Sequence, residues 1–429
     1  MRVREHNLAP HDKKENFFII EENLFQRFCN FDAFYDSSYS ICRNVRWKDS
    51  TVNFEENRLN NILTLKEQLE NDSYEQLVFN SFTIIEHGKP RDIRACHIYD
   101  RLAQNTLCSQ VLIPELTPKF IYDNCATLKG KGTDFALLEV RKHLQAAHKE
   151  YGLGKPFYGL RIDIQKFFDS IDHNSLKEMA KHYIKDKQVF KLIDYIIDTF
   201  CFSVTKDIVP ISNKQYYIIK KQKYKLIYPK HFYKNCTYYE FNHKSLGLGS
   251  QASQLLALLA LNGIDHYAKE HLHLKYYGRY MDDIYILHND KEYLKKCLNE
   301  IENELNKIHL KCNKRKTKII KITPIKLDKN NYPHKRRSDK HNPFKYLKWD
   351  FYLTNTNKII QTPFKKKIKR QYKKLKKMHQ LWLQGKITNA EIQESYRGFR
   401  EHINKGTTFY IIQNLDNYFH SLFKGVEIL

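Results

Sequence analysis

Three aspartates are spaced so that they could share metal ions. Asp163 lies within the apolar run at 157–164, and the adjacent pair Asp282-Asp283 falls between two apolar runs, at 274–280 and 284–288. Nucleotide transfer needs cations that draw charge from an attacking hydroxyl and from the departing pyrophosphate, and hard divalent ions take oxygen ligands from a few carboxylates. Successive residues of a strand point to opposite faces, so neighbouring aspartates reach one pair of ions only where a turn breaks the alternation. The spacing predicts that turn at Met281-Asp282-Asp283. Asp also favours turns for its own local hydrogen bonds. The metal reading gains from the upstream strand-ending Asp163, with a Gly-Ser turn and an apolar helix lying between it and the pair.

The elements that must position these residues follow from periodicity. Helical spacing runs through 25–82, for example at Leu59, Ile62, Leu63, Leu65 and Leu69, and predicts a helical N-terminal segment. Alternation at Phe82 and Ile84 predicts a strand entering a turn at Glu86-His87-Gly88, followed by the cations Lys89, Arg91 and Arg94. Residues 99–113 return to helical period. The loop Lys129-Gly130-Lys131-Gly132-Thr133 could hold phosphates or serve as a flexible turn, and a helix is predicted over 134–148. Residues 205–243, rich in Tyr and Lys, suggest a hairpin insertion. Ser250 is a candidate cap for a helix over 251–270 whose leucines go nearly all the way round, so that helix should be buried. A Lys-rich helix at 292–308, a basic stretch at 314–320 and a strand at 346–353 come next. Phe364, Ile368, Tyr372, Leu375, Met378 and Trp382 then mark one face of a basic amphipathic helix.

Composition narrows the function class. The chain has 429 residues, 73 Lys and Arg against 48 Asp and Glu, and a formal net charge of +25, which calls for a polyanionic partner, nucleic acid first. A Lys-rich surface reflecting an AT-rich genome is the plainer explanation for part of that excess. Aromatic residues make up 14%, which excludes a disordered composition. The nine cysteines lack the spacing of a zinc site or redox pair and read as reduced, mostly buried thiols. No apolar run reaches membrane-span length and no signal-peptide core opens the chain, so a cytoplasmic protein without a membrane partner is expected.

The ordered series of motifs resembles the palm of reverse transcriptases. Tyr280-Met281-Asp282-Asp283 matches that family's metal-binding tetrad in full, and Asp163 in Asp-Ile-Gln-Lys-Phe-Phe-Asp-Ser-Ile matches its first catalytic aspartate. Leu248-Gly249-Ser250-Gln251-Ala252-Ser253-Gln254 is similar to the template- and nucleotide-binding turn, with Gln251 and Ala252 where the family often has Pro or Thr. The resemblance implies an α+β, right-hand polymerase fold. Its divisions would be a helical extension at 1–75, fingers at 76–160, a palm at 161–345 with the insertion at about 205–243, a primer-grip region at 346–363 and a helical thumb at 364–429.

The same resemblance implies roles for individual residues. Asp163, Asp282 and Asp283 would be the catalytic ligands of two magnesium ions, with manganese as a substitute. Lys89, Arg91 and Arg94 would hold the incoming triphosphate with Gly249, and Lys316 would protonate pyrophosphate. Phe168 would be the steric gate against a 2′-hydroxyl, with Phe167 a core ring. Tyr280, Met281 and Trp349, the last in a primer-grip strand, would meet the template-primer, as would Lys366, Lys369, Arg370 and Lys373 of the thumb helix. Implied partners are an RNA template, deoxynucleoside triphosphates and a cDNA product. Too few residues follow the thumb for a ribonuclease H, integrase or endonuclease module, and the thumb lacks the Val-Thr-Gly triplet of retron enzymes. The turn at 248–254 is closer to diversity-generating and defence-associated bacterial enzymes, which implies a noncoding RNA template and an anti-phage role. An RNA-directed RNA polymerase and a noncatalytic RNA-binding or splicing-helper protein are the competing readings.

Overall fold

The computed structural model describes residues 23–77, 79–86, 89–200, 202–203, 209–210, 216–219, 222–225, 240–241, 243–325 and 342–428. Helices α1 (Leu24–Phe28), α2 (Phe31–Cys42), α3 (Asp49–Glu56) and α4 (Arg58–Glu70) precede an antiparallel hairpin of β1 (Asn80–Glu86) and β2 (Lys89–Ala95). Next come α5 (Ile98–Leu107), α6 (Ile113–Leu116), α7 (Thr133–Tyr151), β3 (Phe157–Asp163), α8 (Phe167–Ser170), α9 (His173–Tyr183) and α10 (Lys187–Thr199). After α10 come β4 (Phe202–Ser203) and, within the stretch expected to be an insertion, β5 (Val209–Pro210), β6 (Tyr216–Ile219), β7 (Gln222–Lys225) and β8 (Glu240–Phe241). In it β6 and β7 form the expected hairpin, with β5 beside β6 and β4 paired to β8. The chain continues through α11 (Gln251–Ala260), α12 (Asn262–His266), β9 (Tyr277–Tyr280), β10 (Asp283–His288), α13 (Lys291–Lys307) and β11 (Lys318–Ile322). It closes with β12 (Phe344–Tyr346), β13 (Trp349–Leu353), β14 (Ile359–Pro363), α14 (Lys365–Leu383), α15 (Asn389–Asn404) and α16 (Phe409–Leu422).

The central sheet has the order β11-β3-β10-β9, with every pair antiparallel. Its side chains alternate between two cores, as a sheet covered on both faces requires. Leu160, Ile162, Ile284 and Ile286 join the larger core, which includes buried residues of α1 to α5, α9, α11 and α13. Phe157, Tyr285, Leu287 and Ile322 face a second core built from α7, β12 and β13. A third core, around Leu375, Tyr396, Leu415 and Phe419, is enclosed by α14, α15 and α16. Trp349 links the last two bodies: a Cβ on Gly406 would lie 2.5 Å from its ring. Among the described residues no helix is long and apolar enough to cross a membrane.

Several expectations need correction. The single helix expected over 251–270 breaks at Leu261 (φ −107°) and resumes as α12 and a π-helical turn at Tyr267–His271; α11 itself is buried, with Ser250 capping it at Ser253 N. The strand expected over 346–353 is a hairpin corner, because Leu347 (φ 45°) and Lys348 (φ 67°) both adopt the left-handed conformation. A tight turn of that kind follows the twist of its strands, but Leu-Lys carries none of the usual Gly or Asn signal. His87 and Gly88 of the expected fingertip turn, and the basic loop at 326–341, lie outside the described residues. Cys29, Cys42, Cys96, Cys108, Cys125 and Cys297 are buried free thiols and Cys312 is half-buried. Cys201 and Cys236 also lie outside the described residues.

Candidate active site

The register of β3 and β10 decides the geometry. Asp163 is paired directly with Asp283, so the two carboxylates project from the same face at the same end of the sheet. Asp283 is also paired with Tyr280, which makes Met281-Asp282 the two-residue tip of the β9–β10 hairpin, with Met281 at φ 53°. The turn expected from the sequence is therefore present, and it adds Asp282 to the facing pair. Asp163 is buried, and Lys316 Nζ donates to both its oxygens, at 2.6 and 2.8 Å.

The electrostatics leave one carboxylate underserved. Asp283 Oδ1 is buried without a hydrogen-bond partner, and Arg161 Nε stands 3.8 Å from it, beyond bonding range. Burial, together with Asp282 and Asp163, pushes the Asp283 pKa up to about 6 against the opposing pull of Arg161. Burial first, then Asp163, likewise raises Asp282, while Lys316 and Arg91 oppose. A buried acceptor without a donor, among three carboxylates, is the chemistry a hard divalent cation satisfies. These residues fit such a site.

The Reverse transcriptase (RNA-dependent DNA polymerase) family profile matches residues 80–351, from the β1–β2 hairpin through the central sheet and into β13. This chain belongs to the reverse transcriptase family. Similar solved structures include apo telomerase from Candida tropicalis truncated from its C-terminal domain, at 14% identity, covering 70% of this chain and 60% of that one, with a TM-score of 0.43. Telomerase from Candida albicans in complex with a TWJ fragment of telomeric RNA shows 11% identity, coverage of 81% and 55% and a TM-score of 0.44. Apo telomerase from Candida tropicalis shows 13% identity, coverage of 81% and 58% and a TM-score of 0.45. The chain thus spans 55% to 60% of the length of these proteins. No curated protein matches it.

Within this reverse transcriptase family member, the other expected residues divide. Phe167 is buried, and Phe168 beside it is half-buried and packed against the larger core. Gly249 (φ 124°) lets its backbone approach β2; a Cβ there would sit 2.9 Å from Arg94 O. Arg91 is exposed, paired with Glu86 at 2.5 Å, and its charge is felt at Asp282. Arg94 is a correction: its guanidinium donates to Phe200 O at 2.9 Å and its Cδ lies beside Gly247, so it ties β2 to the end of α10 and to the turn before α11. The side chain of Lys89 lies outside the described residues. Trp349 is a second correction, because its ring is buried against His402 and Gly406 and offers no face to nucleic acid. Tyr280 is half-buried, and Met281 Sδ accepts from Thr127 Oγ1 at 3.4 Å. Lys366, Lys369, Arg370 and Lys373 are exposed on α14, and none has a carboxylate within 4 Å among the described residues.

Sequence reasoning missed the support beneath the tetrad. Fully buried Arg279 forms a salt bridge with Asp265 of α12 (Nη2–Oδ2 2.5 Å), donates to Met281 O at 3.0 Å and reaches Leu258 O at 3.3 Å. Tyr277 OH also donates to Asp265, at 2.6 Å. A charged residue inside the apolar strand Tyr-Gly-Arg-Tyr was the available signal, since a buried charge demands a partner. Tyr346 OH steadies the same hairpin through Asp283 O at 2.9 Å. A second cluster, Asp123, Glu139 and His143, lies beneath β10. Lys269 binds Asp123 (2.6 Å), Lys142 binds Glu139 (2.7 Å) and Tyr285 OH meets His143 Nδ1 (2.9 Å), so this cluster is internally satisfied.

Two outcomes follow from this arrangement. Asp265→Ala strands the Arg279 charge and is expected to cost about 3–5 kcal/mol of stability, read by urea unfolding; a loss below about 1 kcal/mol would remove the buttress. Because the folded Asp283 pKa lies above its ordinary value, the native state holds a proton that the unfolded chain releases. Metal-free stability from this group should then fall as pH rises from about 4 to about 6, while divalent-metal affinity strengthens over the same interval. Parallel melting curves and Mn2+ titrations between pH 4.5 and 7.5 check both signs.

Proposed function

We propose that this chain is an RNA-directed DNA polymerase of the bacterial kind, copying a partner noncoding RNA into cDNA. The observation that carries the reading is the register pairing of Asp163 with Asp283 beside the turn residue Asp282. Membership of the family sets the reaction class, and α14, with nine Lys and Arg and no carboxylate, supplies a surface suited to a duplex backbone.

Asp163, Asp282 and Asp283 would hold two magnesium ions, which would supply activation of the primer hydroxyl and charge neutralisation at the departing pyrophosphate. The protein residues do the rest. Arg91 and the turn at Gly249 orient the deoxynucleoside triphosphate, and Lys316 donates a proton to pyrophosphate as it leaves. Phe168 acts as the steric gate, its half-buried ring excluding a 2′-hydroxyl. Lys366, Lys369, Arg370 and Lys373 hold template-primer phosphates. Anti-phage defence is the biological role we infer, supported by the likeness of the 248–254 turn to that of defence-associated enzymes.

Nucleic acid co-purified from cells and sequenced deeply should contain a discrete cDNA complementary to one bound RNA, absent from the Asp282→Ala, Asp283→Ala double variant, which should also lose phage protection in plaque counts. Bound RNA without aspartate-dependent DNA would favour a noncatalytic RNA-binding protein instead. Phe168→Ala should reduce discrimination against ribonucleotides by roughly tenfold or more, measured as the ratio of kcat/KM for the two sugars. Unchanged discrimination would place the gate elsewhere.

A further inference from the structure

A cavity of about 620 Å3 opens beside the loop that clamps Asp163, lined by Gln165, Glu302, Lys311, Cys312, Lys314 and Arg315 among others. The wall is tied to the catalytic strand at three points. Asn313 N donates to Asp163 O at 2.7 Å, Gln165 N donates to Lys311 O at 2.8 Å, and Lys316 reaches the Asp163 carboxylate. Whatever binds this wall therefore touches the segment that fixes the first catalytic aspartate.

The lining is strongly biased in charge. Lys311, Lys314 and Arg315 are exposed, and none has a carboxylate within 4 Å among the described residues. Glu302 is the one acid of the lining, and its nearest demand is the Cys312 thiol, whose pKa it helps burial to raise. A concave, cation-lined recess focuses potential and concentrates small anions. Arg presents a planar fork to phosphate oxygens and Lys a mobile point charge, a combination suited to a chain of phosphates. The volume is in the range of small-molecule sites and far below what a duplex needs.

We propose that this recess is a polyphosphate site, taking either the pyrophosphate that leaves the catalytic centre or the triphosphate tail of a nucleotide waiting to enter. The proposal rests on the polymerase reading for its two sources, but the recess and its charge stand independently of that reading. Occupation would draw Lys314 and Arg315 outward and so coordinate the position of Lys316 with phosphate traffic.

The test begins with calorimetric titration of inorganic pyrophosphate into the full chain without metal, a condition in which the three aspartates repel the probe. Binding is expected, weakened at least about tenfold in Lys314→Ala, Arg315→Ala and tightened several-fold in Glu302→Gln. Gain of affinity in the latter separates a binding role from a merely structural one. Absence of binding, or equal affinity in all three proteins, overturns the proposal. Single-nucleotide incorporation on an RNA template then distinguishes the sources. A raised inhibition constant for pyrophosphate with unchanged nucleotide KM identifies the leaving group, and the reverse identifies the waiting nucleotide; neither moving overturns the link to catalysis. If no incorporation occurs in the wild type while pyrophosphate binding follows the variants, the recess stands and the polymerase reading falls.

Discussion

Two like charges placed opposite each other on neighbouring strands destabilise a sheet, and the pairing of Asp163 with Asp283 imposes that cost at the end of β3 and β10. Much of the surrounding structure answers to it. Lys316 neutralises one carboxylate from the loop before β11, Arg161 approaches the other from within β3, and Arg91 adds its field from β2. A register slip of one residue would relieve the repulsion by sending one aspartate to the other face. Packing opposes that slip, because it would turn either Leu160 and Ile162 of β3 or Ile284 and Ile286 of β10 out of the larger core.

The tetrad turn is held from beneath as firmly as from the sides. Arg279 takes the Met281 carbonyl, the end of α11 and Asp265 together, and so ties the helix that follows the Gly249-Ser250 turn to the hairpin that carries the aspartates. A buried ion pair adds little net stability, but it penalises any arrangement in which one partner is lost. Rigid support of this kind is what metal ligands need, because carboxylates displaced by even an ångström no longer share two ions. The acidic centre then lies in a strongly cationic molecule, with the acid-free α14 on a separate small core joined through Trp349.

How much of this the sequence disclosed depends on whether a residue acts through its local pattern or through distant partners. The three aspartates, the tight turn and the buried α11 were legible because alternation, turn chemistry and all-round apolarity are local signals. The Leu347-Lys348 corner was not, since the tight pairing of Tyr346 with Trp349 puts two ordinary residues in a left-handed conformation they disfavour. The family resemblance gives Arg94 and Trp349 to ligands; the packing of Phe200, Gly247 and Gly406 around them shows that they join parts of the protein. The partner of Arg279 lay equally out of reach, because Asp265 is brought to it by the break at Leu261.

The central claim is that Asp163 and Asp283, facing across the ladder, form the metal site at which a deoxynucleotide is joined to a primer. Single-turnover incorporation of one deoxynucleotide on an RNA template with a DNA primer, by the purified chain with Mg2+, tests it most directly. The account predicts metal-dependent extension that falls by about a thousandfold or more in Asp163→Asn and equally in Asp283→Asn, a loss of several kcal/mol of transition-state stabilisation. Extension that persists in both variants at near wild-type rate would contradict it, and would show that the facing pair is not where the chemistry occurs.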